Sequence, residues 1–185
     1  MEFLATKFSG LIVITPRVFE DSRGYFFESF NLENFAAAGI NLHWVQDNQS
    51  KSTYGVIRGL HYQLAPFSQS KLVRVLSGTI LDVALDIRRG SPTFGQHFAI
   101  ELSEANKKQL LIPHGFAHGF SVLSETAAVM YKCDSLYKPD AERGILFNDT
   151  ELGIDWQIPN EKALISPKDK VYPSFTSAEL NFVFP

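Results

Sequence analysis

From Gly10 to Cys133 the chain repeats one rhythm, a short apolar or alternating run followed by a turn signal. This rhythm limits the possible folds more than any other feature. Gly10 precedes the run 11–15, and Arg23-Gly24 precedes 25–30. Ser77-Gly78 separates 71–76 from 79–87, and Arg89-Gly90-Ser91-Pro92 closes the latter. Runs at 98–102, 110–113, 116–123 and 127–133 follow. Runs of about 4–8 residues with regular turn signals belong to antiparallel sandwiches and barrels. Helical signals are few. Residues 31–38 read as one short helix, with Asn31 as N-cap, Glu33 in its first turn and Gly39 as C-cap. Ser103-Glu104-Ala105-Asn106 reads as a further turn of helix. There is no fixed-period repeat, low-complexity segment or Pro/Gly/Ser-rich linker. The expected fold is mostly β, of jelly-roll or up-and-down type, with a few short helices. One domain is expected over 1–185, with its core at about 8–172 and a tail at 173–185. Residues 177–185 read as an apolar end that docks on a neighbour or frays.

Charge and cysteine content narrow the function. Seventeen basic and 20 acidic side chains leave a net charge of −3. This argues against a nucleic-acid binder, which would carry a clustered basic excess, and gives no reason to invoke an anionic membrane surface. Aromatic residues make up 13% of the chain and 16 are Phe, which suits a β-rich core or a site that stacks flat ligands. The one cysteine, Cys133, excludes an internal disulfide and a cysteine-based zinc cage. A reducing compartment is the simplest reading. Leu11-Ile12-Val13-Ile14 is too short for a signal sequence of about 7–15 apolar residues. No stretch approaches the roughly 18 apolar residues of a membrane span. A cytoplasmic protein is expected.

Two stretches are dense in chemistry: Gly55-Val-Ile-Arg58-Gly-Leu-His61-Tyr-Gln63 running on to Lys71 and Gly78, and Ile112-Pro113-His114-Gly115-Phe116-Ala117-His118-Gly119-Phe120. Together they resemble the two motifs of the cupin superfamily. Five residues separate Gly55 from His61, six separate Lys71 from Gly78, and Pro113, Gly115 and His118 match the second motif. Two ligand positions differ. Gln63 stands for the second His of His-x-His and Lys71 for the glutamate. An ammonium cannot ligate a cation and repels it at close range. The expectation is therefore a cupin-type barrel with protein groups in place of the metal. On the residues alone, His61 in an apolar strand reads as a hydrogen-bonded core histidine.

A longer resemblance covers about residues 8–172. It runs through Asp21-Ser-Arg23-Gly24-Tyr-Phe26-Phe-Glu28, Val45-Gln46-Asp47-Asn48-Gln-Ser50, Arg58-Gly-Leu-His61, Lys71-Leu-Val-Arg74, Asp82-Val-Ala-Leu-Asp86, Ser91-Pro-Thr-Phe-Gly95, Tyr131-Lys132 and Ser166-Pro-Lys168-Asp169. In this order the segments resemble the dTDP-4-dehydrorhamnose 3,5-epimerase family. The resemblance implies epimerisation of dTDP-4-dehydro-6-deoxy-D-glucose at carbons 3 and 5, within dTDP-rhamnose and polysaccharide biosynthesis. It implies a homodimer, a dTDP-sugar as partner, and neither cofactor nor metal. The Phe-rich N-terminal segment would suit a strand exchanged across such a dimer.

The resemblance also assigns roles. His61 is the base, suited to it because an unperturbed imidazole titrates near pH 6.5. Asp169 pairs with His61, and Tyr131 is the acid on the opposite face. Lys71 is a cation beside the developing enolate, with His118 as a second donor. Arg23, Arg58 and Lys168 hold the diphosphate. Gln46 and Asn48 read sugar or pyrophosphate from one strand face, and Glu28, Asp47 and Glu142 complete the binding set. Phe26 and Tyr137 are stacking platforms for the thymine. Read without the resemblance, Asp169 is a turn cap, Arg23 an exposed turn residue, and Tyr131, Phe26 and Tyr137 ordinary packing. For Lys71 the residues speak directly, because alternation puts it with Val73 and Val75 on an apolar face.

Two segments depart from the family pattern, Tyr131-Lys-Cys-Asp-Ser-Leu-Tyr137 and Phe147-Asn148-Asp149-Thr150. They are expected beside the acid and the nucleotide, where they leave room for another preference. The rival readings are a 3-epimerase (or 3,5-epimerase) of a different nucleotide-linked deoxysugar, an inactive sugar-nucleotide-binding cupin, and a metal-dependent cupin enzyme, which Gln63 and Lys71 oppose.

Overall fold

The computed structural model describes residues 1–185. The strands in chain order are β1 Glu2–Ala5, β2 Ile12–Thr15, β3 Val18–Asp21 and β4 Gly24–Phe27, followed by helix α1 Leu32–Ala37. Then come β5 Gln46–Thr53, β6 Val56–Gln63, β7 Lys71–Ser77, β8 Thr79–Asp86, β9 His97–Ser103, β10 Gln109–Ile112, β11 Phe116–Val122 and β12 Thr126–Cys133. The short strands β13 Glu142–Gly144 and β14 Leu164–Ile165 complete the set.

Two sheets carry the fold. The first has the order β1-β2-β10-β7-β12-β5, and the second β13-β6-β11-β8-β9, with β14 added in parallel to β6. Strands β3 and β4 form a separate hairpin. Consecutive strands β7 and β8 lie in different sheets, so Ser77-Gly78 is a corner rather than a hairpin turn. The corner is tight. Gly78 has φ +77°, and a Cβ there would meet Thr126 O at 2.1 Å. A left-handed conformation without a side chain is what glycine supplies.

Alternation along each strand sorts the apolar residues into three layers. Val73, Val75, Ile80, Leu110, Phe116, Phe120 and Val129 fill the space between the sheets. Ile57, Leu60, Leu81, Val83, Leu85 and Ala117 form the outer face of the second sheet, covered by Ile145, Leu152, Trp156, Ala178 and Phe182 from the C-terminal part of the chain. Leu72, Leu111 and Ile14 form the outer face of the first sheet, beneath Phe35 of α1 and Ile40. Both faces of β8 and β11 are thus covered, which explains their nearly continuous apolar sequence. The expected mostly β architecture with a few short helices is the one observed.

Three local expectations are corrected or resolved. Asn31 caps α1 as expected, its Oδ1 accepting from the Asn34 N–H. The C-cap is Ala38 rather than Gly39, which follows it at φ +78° and donates its N–H to Ala36 O at 2.9 Å. Ser103 ends β9, and residues 104–106 form a turn and not a helix. Asn106 Oδ1 accepts from the Ser103 and Lys108 N–H groups, which closes the chain locally before a helix can start. The C-terminal residues do not fray. Phe182 is buried on the second sheet, and Val183 bridges to Arg89.

Candidate active site

The site lies between the sheets at the β6 end, and a bulge creates it. Residues 58 and 61 differ by an odd number, so strict alternation would aim them at opposite faces. In the β6–β11 pairing His61 lies opposite His118 and Arg58 opposite Phe120, with a register shift between the two. The extra residue turns both side chains inward. Gly59 makes this possible. Its φ is +128°, and a Cβ would meet Gly119 Cα at 2.5 Å. Arg58 Nε then reaches Ser52 Oγ of β5 at 3.1 Å.

The same turn brings in the C-terminal segment. His61 Nε2 lies 2.8 Å from Asp169 Oδ1, and the Gly59 N–H donates to Asp169 Oδ2 at 3.3 Å. The Asp169 N–H donates to Ser166 Oγ at 3.1 Å, which fixes the loop. Burial pushes the Asp169 carboxyl up. The hydrogen bonds from His61, Gly59 and Ser166, with the His61 charge, outweigh it and hold Asp169 below the usual carboxylate range. Asp169 is therefore a carboxylate near neutrality. It accepts the Nε2–H of His61 and leaves the lone pair on Nδ1. Tyr172 packs edge-on against His61, with ring centroids 5.7 Å apart. A cavity of about 490 Å³ opens beside this pair, lined by Arg58, His61, Glu142, Ser166, Lys168 and Asp169 among others.

The first sheet brings its own polar side chains to the space between the sheets. Tyr131 on β12 and Lys71 on β7 share the inner face with Val129, Val73 and Cys133, as alternation predicts. The Lys71 ammonium lies 5.7 Å from the Tyr131 ring centroid. Burial pushes the Lys71 amine down, and nearby Cys133, Asp82 and Glu142 partly offset it. Burial likewise pushes the Tyr131 phenol up, so it stays protonated near neutrality. The Cys133 thiol is pushed by burial up to about 11. His118 lies near Tyr131. Its Nε2 is 2.8 Å from Asp82 Oδ1, and its ring centroid is 6.5 Å from that of Tyr131. Burial pushes its imidazole down against the pull of Asp82, so it is neutral at neutral pH.

Around the mouth, Glu142 joins two expected contacts. Its Oε2 accepts from Tyr137 Oη at 2.6 Å and from Lys168 Nζ. Burial raises the Glu142 carboxyl, but the Lys168 and Tyr137 hydrogen bonds hold it below its ordinary value. Gln46 Nε2 donates to Asn48 Oδ1 at 3.0 Å, and Asn48 lies opposite Tyr131. Gln63 is wholly engaged elsewhere. It accepts from the Lys138 N–H at 2.7 Å and donates to Phe67 O and Leu136 O.

Not every expected residue converges here. Asp47, between Gln46 and Asn48, turns to the outer face of β5 and pairs with Lys132 at 3.0 Å. Its side chain therefore does not join those of Gln46 and Asn48. Arg23 sits on the β3–β4 hairpin, its side chain 88% exposed and paired with Asp21. Arg23 and Phe26 line a different cavity, and Glu28 accepts from Asn31 and Asn34 at the start of α1. Residues 147–150, expected beside the nucleotide, line a separate pocket with Ile57 and Trp156 on the outer side of the second sheet. Asp82, Ser166 and Tyr172 had no assigned role. A signal for Asp82 stood in the sequence, a charge inside the apolar run 80–85.

A family model described as dTDP-4-dehydrorhamnose 3,5-epimerase matches residues 5–177. The chain belongs to this family. A dTDP-4-dehydrorhamnose 3,5-epimerase from Pseudomonas aeruginosa is 51% identical over 170 residues, covering 91% of this chain and 93% of that protein. One from Shigella flexneri is 48% identical over 180 residues, covering 97% and 98%. The crystal structure of the Legionella pneumophila dTDP-6-deoxy-D-glucose-3,5-epimerase in complex with dTDP-4-keto-L-rhamnose superposes with a TM-score of 0.95 at 43% identity, covering 100% and 99%. The His61–Asp169 pair, Tyr131, Lys71 and His118 are thus set in a 3,5-epimerase fold along almost its full length.

Proposed function

We propose that this chain epimerises dTDP-4-dehydro-6-deoxy-D-glucose at carbons 3 and 5 to dTDP-4-dehydro-L-rhamnose. The observation that carries the reading is the His61–Asp169 pair at the second sheet and Tyr131 on the first, with Lys71 and His118 beside Tyr131. Both carbons flank the C4 ketone, which acidifies their protons. His61 Nδ1 removes a proton, and Asp169 stabilises the imidazolium that results. The Lys71 ammonium faces the negative charge that develops on the ketone oxygen, with His118 beside it. The Tyr131 phenol returns a proton from the other side. Protein groups alone supply the base, the acid and the cation, so the scheme needs no metal or redox cofactor.

Arg58 and Lys168 are the diphosphate cations of the reading, with Glu142 holding Lys168 and Tyr137 at the mouth. Gln46 and Asn48 face the sugar. Arg23, Glu28 and Phe26 take part through a homodimer, in which the hairpin of one copy reaches the site of the other. Exposure of Phe19, Tyr25 and Phe26 on that hairpin supports this arrangement. The chain acts as one domain. No helix of the chain is long and apolar enough to cross a membrane. A nucleotide-sugar substrate and the free thiol of Cys133 support a cytoplasmic enzyme that feeds dTDP-L-rhamnose and polysaccharide synthesis. NMR of dTDP-4-keto-6-deoxyglucose with the protein in deuterated water tests the reading. Exchange and inversion at both carbons are expected, whereas inversion at carbon 3 alone would make it a 3-epimerase.

A further inference from the structure

We propose that Asp82 is a positioning residue of this reaction: its buried carboxylate is the fixed negative charge that holds His118 in one tautomer and keeps the Lys71 ammonium charged. The inference rests on the epimerase reading and adds a residue to it.

The geometry is unusual for a carboxylate of purely structural use. Asp82 is fully buried, and its Oδ1 meets His118 Nε2 at 2.8 Å. Its Oδ2 is also buried and has no hydrogen-bond partner. An unpartnered buried carboxylate oxygen is costly, so packing alone does not account for Asp. A wholly apolar residue would suit the run of Ile80, Leu81, Val83 and Ala84 around it better.

Lys71 has the complementary deficit, a half-buried side chain with no ion pair of its own. The titratable and charged groups that face it are Tyr131 and Cys133 on β12, His118 on β11, Glu142 on β13, and Asp82 on β8. Glu142 is already committed to Lys168 and Tyr137. Neutral Cys133 and Tyr131 offer no counter-charge. Asp82 is the facing carboxylate with an oxygen still uncommitted, and its charge opposes the burial that pulls the Lys71 amine down.

The same carboxylate orients His118. Accepting from Nε2–H, it fixes the proton there and leaves the lone pair on Nδ1, which meets no donor of this chain. His118 thus presents an acceptor beside the Lys71 ammonium until a proton reaches it.

The test is Asp82→Asn, which keeps an acceptor for His118 and removes the charge. With the counter-charge gone, Lys71 loses its proton at lower pH. The basic limb of the kcat–pH profile should then move down by about one pH unit or more. At a pH on that limb kcat should fall about tenfold, recover as pH is lowered, and leave KM little changed. Asp82→Glu, which retains the charge, should hold the limb near its original position. Asp82→Ser, small and neutral, reads the same limb should the Asn variant fail to fold. An even loss of kcat at every pH, with the limb unmoved, would overturn the proposal. Absence of turnover in the unmutated enzyme would overturn the epimerase reading itself, so the two failures are distinct.

Discussion

Asp82 and Asp86 stand four residues apart on β8, both fully buried, yet they are used in opposite ways. Asp86 is saturated. It accepts from the N–H, Nε and Nη2 of Arg88, from Ser91 Oγ at 2.6 Å and from Thr93 Oγ1 at 2.6 Å. Arg88 in turn lies over the Phe116 and Phe184 rings and donates to Ser9 O. The cluster closes on itself and pins residues 86–95 to the end of the sheet. Asp82 has one partner and one empty oxygen, in a cluster with Lys71, which forms no ion pair. A polar cluster built for stability satisfies every atom. One built for chemistry leaves valence for a substrate to fill. The distinction predicts that damage to the open cluster lowers rate and damage to the closed one lowers stability.

The largest effect is expected at His61. His61→Asn should lower kcat by about 10²–10⁴-fold and abolish deuterium uptake at both carbons, with the melting temperature little changed. Rates, exchange and a thermal melt on the same preparation check this. A melt that falls in step with the rate would erase the contrast between open and closed clusters. Exchange persisting at one carbon would assign that carbon a different base.

The converse is expected at Asp86. Asp86→Asn leaves the buried Arg88 guanidinium without its counter-charge and should cost about 3–5 kcal/mol of stability. The activity of the molecules that remain folded should be unchanged. The pH dependence follows in sign. Burial pushes the Asp86 carboxyl up, but hydrogen bonds from Arg88, Ser91 and Thr93 hold it below the usual carboxylate range. Its contribution is therefore complete above the unfolded-state value of about 3.9 and is lost as pH falls through the lower folded-state value. Urea unfolding at pH 6 and pH 3 should show a smaller acid loss in Asp86→Asn than in the unmutated protein. Equal losses would mean that other carboxylates, Asp169 among them, carry the acid sensitivity.

The sequence reveals these regions unevenly. Strands with apolar or alternating patterns, such as β8, β11 and β12, are visible because burial acts on every second residue or on both faces. Strand β5, Gln-Asp-Asn-Gln-Ser-Lys-Ser-Thr, has no apolar residue, because one face meets solvent and the other a polar site. Periodicity is blind to it, and the family resemblance alone pointed to Gln46 and Asn48. The inward turn of both Arg58 and His61 depends on glycines of two strands, Gly59 and Gly119, meeting across a bulge. No local rule gives that pairing. The contact of His61 with Asp169 spans 108 positions, and the residues around Asp169 read as a turn. A motif match also names Asp47 beside its neighbours, whereas alternation turns its side chain to the other face of β5.

A smaller and more selective effect belongs to Tyr131. Removal of a proton by His61 leaves an enolate that Lys71 can hold without the phenol. The hydroxyl matters when a proton returns from the other side. Tyr131→Phe keeps the ring, so packing with Val129 survives. Inversion should fall by about 10²-fold while deuterium still washes into the substrate. The ratio of exchange to inversion at each carbon, by NMR in deuterated water, decides the matter. A ratio equal to that of the unmutated enzyme at both carbons would make Tyr131 a packing residue and move the acid elsewhere.

The smallest expected effect, none at all, sharpens the comparison at a third place. Gln63 occupies a position where the cupin pattern has a metal-binding histidine, and Lys71 stands where it has a glutamate. By the criterion of valence Gln63 is closed. Its Oε1 accepts from the Lys138 N–H, and its Nε2 donates to Phe67 O at 2.6 Å and Leu136 O at 3.3 Å. It ties the chain after β6 to the loop before β13, and both its amide oxygen and its amide nitrogen are committed to the backbone. The nearby Lys71 ammonium repels one. Exhaustive chelation should therefore leave kcat unchanged within assay error. Gln63→Ala should instead cost stability, about 1–3 kcal/mol for buried groups left unpaired, with kcat altered only as far as the loop moves Tyr137. Metal analysis of the purified enzyme, with assays before and after chelation, checks both halves. A stoichiometric transition metal whose removal abolishes activity would show that a closed Gln63 is no guide to function. The contrast drawn between Asp82 and Asp86 would then lose its physical basis as well.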